Sequence, residues 1–128
     1  MAILTNIRTG LHETFDRVVL DMTGAEPGVT TRVVDELIQD GSGEVVWLTG
    51  CAFIAVRVEP GAAHDDAGHP TYTGAQKFRT RALRNVMAVA LIGDFEGVLG
   101  VGIGMRHQTS VNAFTLSGPT RIVIDVTH

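Results

Sequence analysis

Residues 59–74 collect the side chains of this chain best suited to metal binding or acid–base chemistry. The segment has no strand or helix pattern, and such long irregular segments in compact domains are usually functional or mobile. Imidazole and carboxylate groups bind zinc or harder cations, and the candidate ligands are His64, Asp65, Asp66 and His69. With Glu96 or Asp94, this loop could form a metal-dependent or acid–base hydrolase. No second histidine or cysteine cluster supports that site, so we predict no resident metal or cofactor and no catalytic residue.

Tyr72, near the end of this loop, has two interpretations. Its ring could stack on a sugar while its hydroxyl donates a hydrogen bond, with His69 as a neighbouring contact. Alternatively, the tyrosine returns the loop to the sheet and packs there. The first interpretation makes Tyr72 and His69 candidate ligand-binding residues.

Two charged segments near opposite ends of the chain share one pattern, Arg-Val-Val-Leu-Asp at 17–21 and Arg-Ile-Val-Ile-Asp at 121–125. On a strand, the first, third and fifth side chains lie on one face. We therefore expect ion pairs between neighbouring strands, which help to fix the register. A sheet face and its loops could also bind a ligand, because arginine recognises carboxylates and carboxylates accept hydrogen bonds from sugar hydroxyls. The candidates are Asp16, Arg17, Arg121 and Asp125.

Short apolar and β-branched runs separated by Gly and Pro turns cover most of the chain and predict an all-β fold. Nine strands are expected, at 2–8, 15–23, 29–38, 44–49, 51–59, 83–93, 97–105, 110–116 and 120–127. The best helical segment is 77–90, where at most one short turn is expected. Many short strands in a chain of 128 residues indicate one β-sandwich domain spanning 1–128.

The predicted strand 97–105 has glycine at alternate positions, so one of its faces carries no side chains between residues 100 and 104. Glycine weakens a strand unless a ligand, an aromatic ring or another backbone approaches closely. We expect an aromatic ring of the protein itself, from Trp47 or Phe95, to cover this face. The alternative is a platform for a ligand.

Charge and hydropathy exclude two classes of partner. The net charge of −4 and the single lysine argue against nucleic-acid binding, which depends on dense positive charge. The longest uninterrupted apolar stretch, 86–92, is far shorter than the roughly 20 residues of a transmembrane helix. The first residues also lack the charged and apolar regions of a secretory signal.

Motifs along nearly the whole chain resemble the AMIN-like domain of actinobacterial, mycobacterial-type lipoproteins and secreted proteins. The most specific are Phe-Asp-Arg-Val-Val at 15–19, Gly-Asp-Phe-Glu-Gly at 93–97 and Arg-Ile-Val-Ile-Asp at 121–125. This family is distantly related to the AMIN domain of cell-wall amidases.

The resemblance implies a β-sandwich that acts as a non-catalytic targeting module for cell-wall glycan (peptidoglycan) or for an envelope protein. It also implies a location in the cell envelope or outside the cell, directed by a signal sequence upstream of this chain. A structural or assembly role is a further alternative, because an exposed edge strand can pair with its copy in a homodimer.

Overall fold

A computed structural model describes residues 1–128, which form twelve β-strands and no helix. The strands are β1 (Ala2–Leu11), β2 (Phe15–Thr23), β3 (Gly28–Val34), β4 (Leu37–Ile38), β5 (Val45–Val46), β6 (Ala52–Glu59), β7 (Gly61–Ala62), β8 (Lys77–Arg79), β9 (Val86–Phe95), β10 (Val98–Met105), β11 (Val111–Leu116) and β12 (Arg121–Thr127). The predicted all-β sandwich is confirmed. No helix of the structure has the length and apolar character needed to cross a membrane.

Ten of the strands form two five-stranded sheets that pack face to face. The first sheet has the order β11-β12-β2-β1-β7, and the second has the order β3-β6-β10-β9-β8. Alternating aliphatic side chains of both sheets meet in one core of 20 buried residues, including Leu20 of β2 and Ile103 of β10. This burial stabilises the sandwich because each large aliphatic side chain removed from water contributes about 1.5–3 kcal/mol.

The two charged segments lie side by side as antiparallel neighbours in the first sheet, with Arg17 opposite Asp125 and Asp21 opposite Arg121. Arg17 forms a bidentate ion pair with Asp125, at 2.7 and 2.9 Å, so the expected ion pair between neighbouring strands is confirmed here. The other pair does not form. Asp21 instead binds Arg8 of β1, and the guanidinium of Arg121 donates to the carbonyl oxygens of the preceding turn.

Two sequence-predicted segments are divided differently in the structure. The predicted strand 29–38 bends at 35–36, and its last two residues pair with β5 in a separate two-stranded sheet. Residues 77–90 contain β8, a turn and the start of β9, without a helical turn, within the expected limit of at most one. Residues 86–90 form a strand because they pair with β10, are covered on both sides and are nearly all buried.

The glycine-rich face of β10 is covered, but neither predicted ring covers it. Trp47 is 80% exposed and Phe95 is 55% exposed. The segment 35–50 folds over the outer face of the second sheet instead. Leu37 lies over Gly102, and the backbone of residues 49–50 lies against Gly104. The expectation of an aromatic cover is therefore wrong, because aliphatic side chain and backbone fill the space.

Asp16 of β2 is completely buried between the first sheet and the turn that precedes β9. One carboxylate oxygen accepts hydrogen bonds from the backbone N–H groups of Asn85 at 2.7 Å and Val86 at 2.9 Å. The other accepts a longer hydrogen bond, 3.3 Å, from the N–H of Arg84. Contrary to the expectation from sequence, Asp16 is not accessible to a ligand; it anchors one sheet to the other.

Candidate functional site

The candidate site is a cleft of about 470 Å³ between the loop 63–76 and the end of β9. At its centre, Nδ1 of His64 lies 2.7 Å from Oδ2 of Asp94. His64 comes from the loop, and Asp94 lies near the end of β9. Both side chains are partly exposed, so this pair is at once fixed in position and open to solvent.

The second carboxylate oxygen of Asp94, Oδ1, is buried and has no hydrogen-bond partner. A buried carboxylate oxygen without a partner is unfavourable, because its lost hydration is not replaced. Among buried side-chain oxygen and nitrogen atoms, this is the one acceptor left unsatisfied. Small shifts of the cleft that admit a hydroxyl or amide donor would satisfy it.

Two glutamines contribute amide groups to the same cleft. Gln39 lies beside Asp40, whose backbone N–H donates to the carbonyl oxygen of Ile92 at 3.1 Å. Gln76 is attached to the same strand, since its carbonyl oxygen accepts a hydrogen bond from the N–H of Leu91 at 2.8 Å. Each amide both donates and accepts hydrogen bonds, so the cleft combines amide, imidazole and carboxylate groups on fixed backbone.

The loop that carries His64 is held in place by its own polar residues. Oδ1 of Asp65 accepts hydrogen bonds from the backbone N–H groups of Ala67 and His69. The hydroxyl of Thr71 donates to the carbonyl oxygen of Leu4 at 2.7 Å, which ties the loop to β1. The loop is therefore attached to the core at its end and internally structured at its tip.

Tyr72 closes the floor of the cleft. It is only 5% exposed, and its hydroxyl donates to the carbonyl oxygen of Ala75 at 2.6 Å. Burial raises the pKa of the Tyr72 hydroxyl. Because its ring is packed into the core, it does not offer an open face for a sugar to stack on, contrary to the first interpretation.

The four predicted metal ligands do not come together. His64 contacts Asp94, and Asp65 accepts hydrogen bonds from the loop backbone. His69 is exposed, and its Nδ1 lies 3.6 Å from Oδ2 of Asp65. No group of three or more histidine, cysteine, aspartate or glutamate side chains has an arrangement that could hold a metal ion. Of the two acidic residues considered with this loop in the sequence, the structure brings Asp94 into contact with His64.

The remaining candidates from the sequence lie on the outer face of the first sheet and not in the cleft. Arg17 and Asp125 are engaged with each other, and Arg121 binds the turn before β12. Together with Arg8 and His12, the two arginines line a shallow depression of about 310 Å³. With Asp16 buried in the interior, the structure thus separates the predicted binding residues into three regions.

The family model of the AMIN-like domain matches residues 2–128. The chain belongs to the AMIN-like domain family. Membership of the AMIN-like family, predicted from the sequence motifs, is thereby confirmed. AMIN-like domains are typically non-catalytic binding modules, and they occur in envelope and secreted proteins. Searches of curated proteins and of solved structures found no match.

The sequence did not identify Gln39 and Gln76, two residues that line the cleft of this AMIN-like domain. They are far apart in the sequence and belong to no motif. They come together because Asp40, the neighbour of Gln39, donates its N–H to Ile92 of β9. The carbonyl oxygen of Gln76 accepts from Leu91 of the same strand. No sequence signal of their own identifies them.

We expect His64 to titrate above the usual histidine pKa of 6.5, because its hydrogen bond to Asp94 and the charge of that carboxylate favour the imidazolium form and raise its pKa. A raised pKa in the folded state means that the ion pair stabilises the loop fully below pH 6.5 and that this contribution is lost as the pH rises through the raised pKa. NMR titration of the imidazole measures the pKa of His64. Asp94→Asn is the matched variant and should lower the pKa of His64; equal values in the two proteins would contradict the pair.

Proposed function

We propose that this AMIN-like domain is a non-catalytic module of the cell envelope that binds the glycan of the cell wall, and that the cleft around His64 and Asp94 is its binding site. The observation that carries the proposal is the buried, unpartnered Oδ1 of Asp94 at the cleft. A sugar hydroxyl is a neutral donor that satisfies such an oxygen without bringing a second charge into the site.

The other polar groups of the cleft suit the same class of ligand. The amides of Gln39 and Gln76 can each donate to one hydroxyl or ring oxygen and accept from another. Vicinal sugar hydroxyls present this combination of donors and acceptors. Peptidoglycan sugars also carry N-acetyl groups, whose amide N–H and carbonyl groups match glutamine side chains.

The size of the cleft agrees with a ligand of one or two sugar rings. Its volume of about 470 Å³ lies within the roughly 300–1,000 Å³ of small-molecule sites. The cleft also contacts the core through Tyr72 and Leu91, so its walls are attached to the rigid sandwich.

Sedimentation with purified, protein-free sacculi tests the proposal. The wild-type domain should sediment with the sacculi, and Gln76→Ala should weaken binding about fivefold, the loss expected for a hydrogen bond of about 1 kcal/mol. Asp94→Asn should weaken it at least as much, because it also releases His64. Glu13→Gln, at an exposed position in the turn between β1 and β2, is the control and should bind like the wild type.

Three outcomes would contradict the proposal. Wild-type domain that sediments no more than an unrelated protein would exclude the glycan as the ligand and would favour an envelope protein. Loss of binding in Arg121→Gln but not in Asp94→Asn would move the site to the outer face of the first sheet. Release of soluble fragments from the sacculi, abolished by Asp94→Asn, would support the hydrolase alternative.

A further inference from the structure

A second depression, a groove of about 180 Å³, lies on the outer face of the second sheet. Its lining includes Ala55 of β6 and Gly100 of β10, together with the aliphatic residues Val34, Ile38 and Ile92. The segment 39–40 separates it from the cleft, since Gln39 lines the cleft and Asp40 lines the groove. We refer to it as the glycine groove.

The local fold places the carboxylate of Asp40 on the floor of the glycine groove. Its backbone N–H donates to the carbonyl oxygen of Ile92, at a point where the pairing of β9 with β10 shifts register. Gly93 and Gly100 leave the necessary space: a Cβ on Gly93 would overlap the Asp40 carboxylate, and a Cβ on Gly100 would lie 3.2 Å from its Oδ2. Bulges of this kind redirect side chains and are frequent at binding sites.

The charge of Asp40 is not neutralised within the protein. No ion pair or side-chain hydrogen bond involves this carboxylate, although Arg32 and Arg57 line the same groove. Arg57 is engaged by Glu59 at 3.2 Å. Arg32, on β3 opposite Ala55, also has no ion-pair partner. Glu36 lines the groove as well and also has no ion-pair partner. The groove therefore holds two carboxylates, those of Asp40 and Glu36, and the guanidinium of Arg32, with no ion pair among them.

We propose that the glycine groove binds a short zwitterionic peptide, with its amino group at Asp40 and its carboxylate at Arg32. Planar guanidinium groups bind carboxylates in a bidentate geometry. A volume of about 180 Å³ is below that of sites for drug-sized ligands, so it fits one or two small residues. The small side chain of Ala55, which is only partly buried, lets the peptide backbone approach the sheet beside Arg32.

This inference goes beyond glycan binding and requires nothing from the cleft. The two ligands are chemically distinct, because the glycan offers hydroxyl and amide groups and the peptide offers two opposite charges. Failure of one proposal therefore leaves the other standing. Experiments with a peptide that carries no sugar test the groove alone.

NMR titration of ¹⁵N-labelled protein with the dipeptide Ala-Ala is the test. A ligand of this size is expected to bind with a Kd on the order of 1 mM, with the largest shifts at the N–H groups of Ile92, Gly93 and Gly100. N-acetyl-Ala-Ala lacks the amino charge and Ala-Ala-amide lacks the carboxylate. Each should bind at least about fivefold more weakly, since each loses one charge-assisted contact of about 1 kcal/mol or more.

Two variants test which residues bind the two charged ends of the peptide. Asp40→Asn should weaken Ala-Ala binding and leave the weak binding of N-acetyl-Ala-Ala unchanged. Arg32→Gln should also weaken Ala-Ala binding and leave the weak binding of Ala-Ala-amide unchanged. Both side chains are exposed, so the fold should tolerate the changes; Glu13→Gln is the control. Equal binding of all three peptides, unaltered binding by both variants, or shifts confined to His64, Gln76 and Asp94 would overturn the proposal.

Discussion

Replacing Asp16 with alanine is expected to lower the free energy of unfolding by about 3–5 kcal/mol, a large part of the stability of a domain of this size. The carboxylate is fully buried and accepts the backbone N–H groups of Asn85 and Val86. Its removal leaves both donors buried without a partner, at about 1–3 kcal/mol each. It also leaves a cavity between the two sheets.

Asp16→Asn separates loss of the hydrogen bonds from loss of volume. An asparagine can place its carbonyl oxygen where Oδ2 accepts from Asn85 and Val86, and its NH₂ then faces the more distant N–H of Arg84. We therefore expect about half the loss of the alanine variant. Urea unfolding at neutral pH, with the midpoint and slope compared, measures both variants.

Asp125→Asn is the control on the neighbouring strand. Its carboxylate pairs with Arg17 at a partly exposed position, where an ion pair contributes about 1 kcal/mol or less. If Asp16→Ala cost no more than Asp125→Asn, the buried carboxylate would not be the anchor described above. The comparison uses two aspartates of the same sheet that differ in burial and in partner, since Asp16 accepts from backbone N–H groups and Asp125 from a guanidinium.

Gly104→Ala is expected to destabilise the protein by about 2–3 kcal/mol, as overpacking of a well-filled interior does. A Cβ at this position would overlap the carbonyl oxygen of Thr49. That backbone is held close to β10, because the N–H of Cys51 donates to the carbonyl oxygen of Met105 at 2.7 Å. The segment can give way only by breaking this contact with the sheet.

Gly102→Ala on the same face of the same strand is the matched variant. Its Cβ would meet the flexible side chain of Leu37, with Cδ1 at 2.6 Å, and a rotamer change relieves that overlap more cheaply than a backbone shift. Thermal unfolding should therefore give a clearly higher midpoint for Gly102→Ala than for Gly104→Ala. Equal midpoints would show that the backbone of 49–50 moves freely and does not restrain β10.

Local patterns in the sequence determined most of the fold. The alternation in 17–21 and 121–125 assigns Arg17, Asp21, Arg121 and Asp125 to one face, and the structure places them there, with Val18, Leu20 and Ile124 in the core. The strand positions of the sandwich were predictable for the same reason. Strand alternation and turn formation depend on residues that are close together in the sequence, so they can be predicted without the tertiary structure.

Only the tertiary structure decided which polar residues form a site. Asp16 and Asp94 are both aspartates in or near predicted strands, yet one is a buried anchor and the other lies in an open cleft beside His64. The approach of Asp40 to Gly93 depends on how the segment 35–50 folds over the second sheet. Such contacts join residues distant in the sequence, and their energies depend on burial and on the partners that packing provides, so no short pattern contains them.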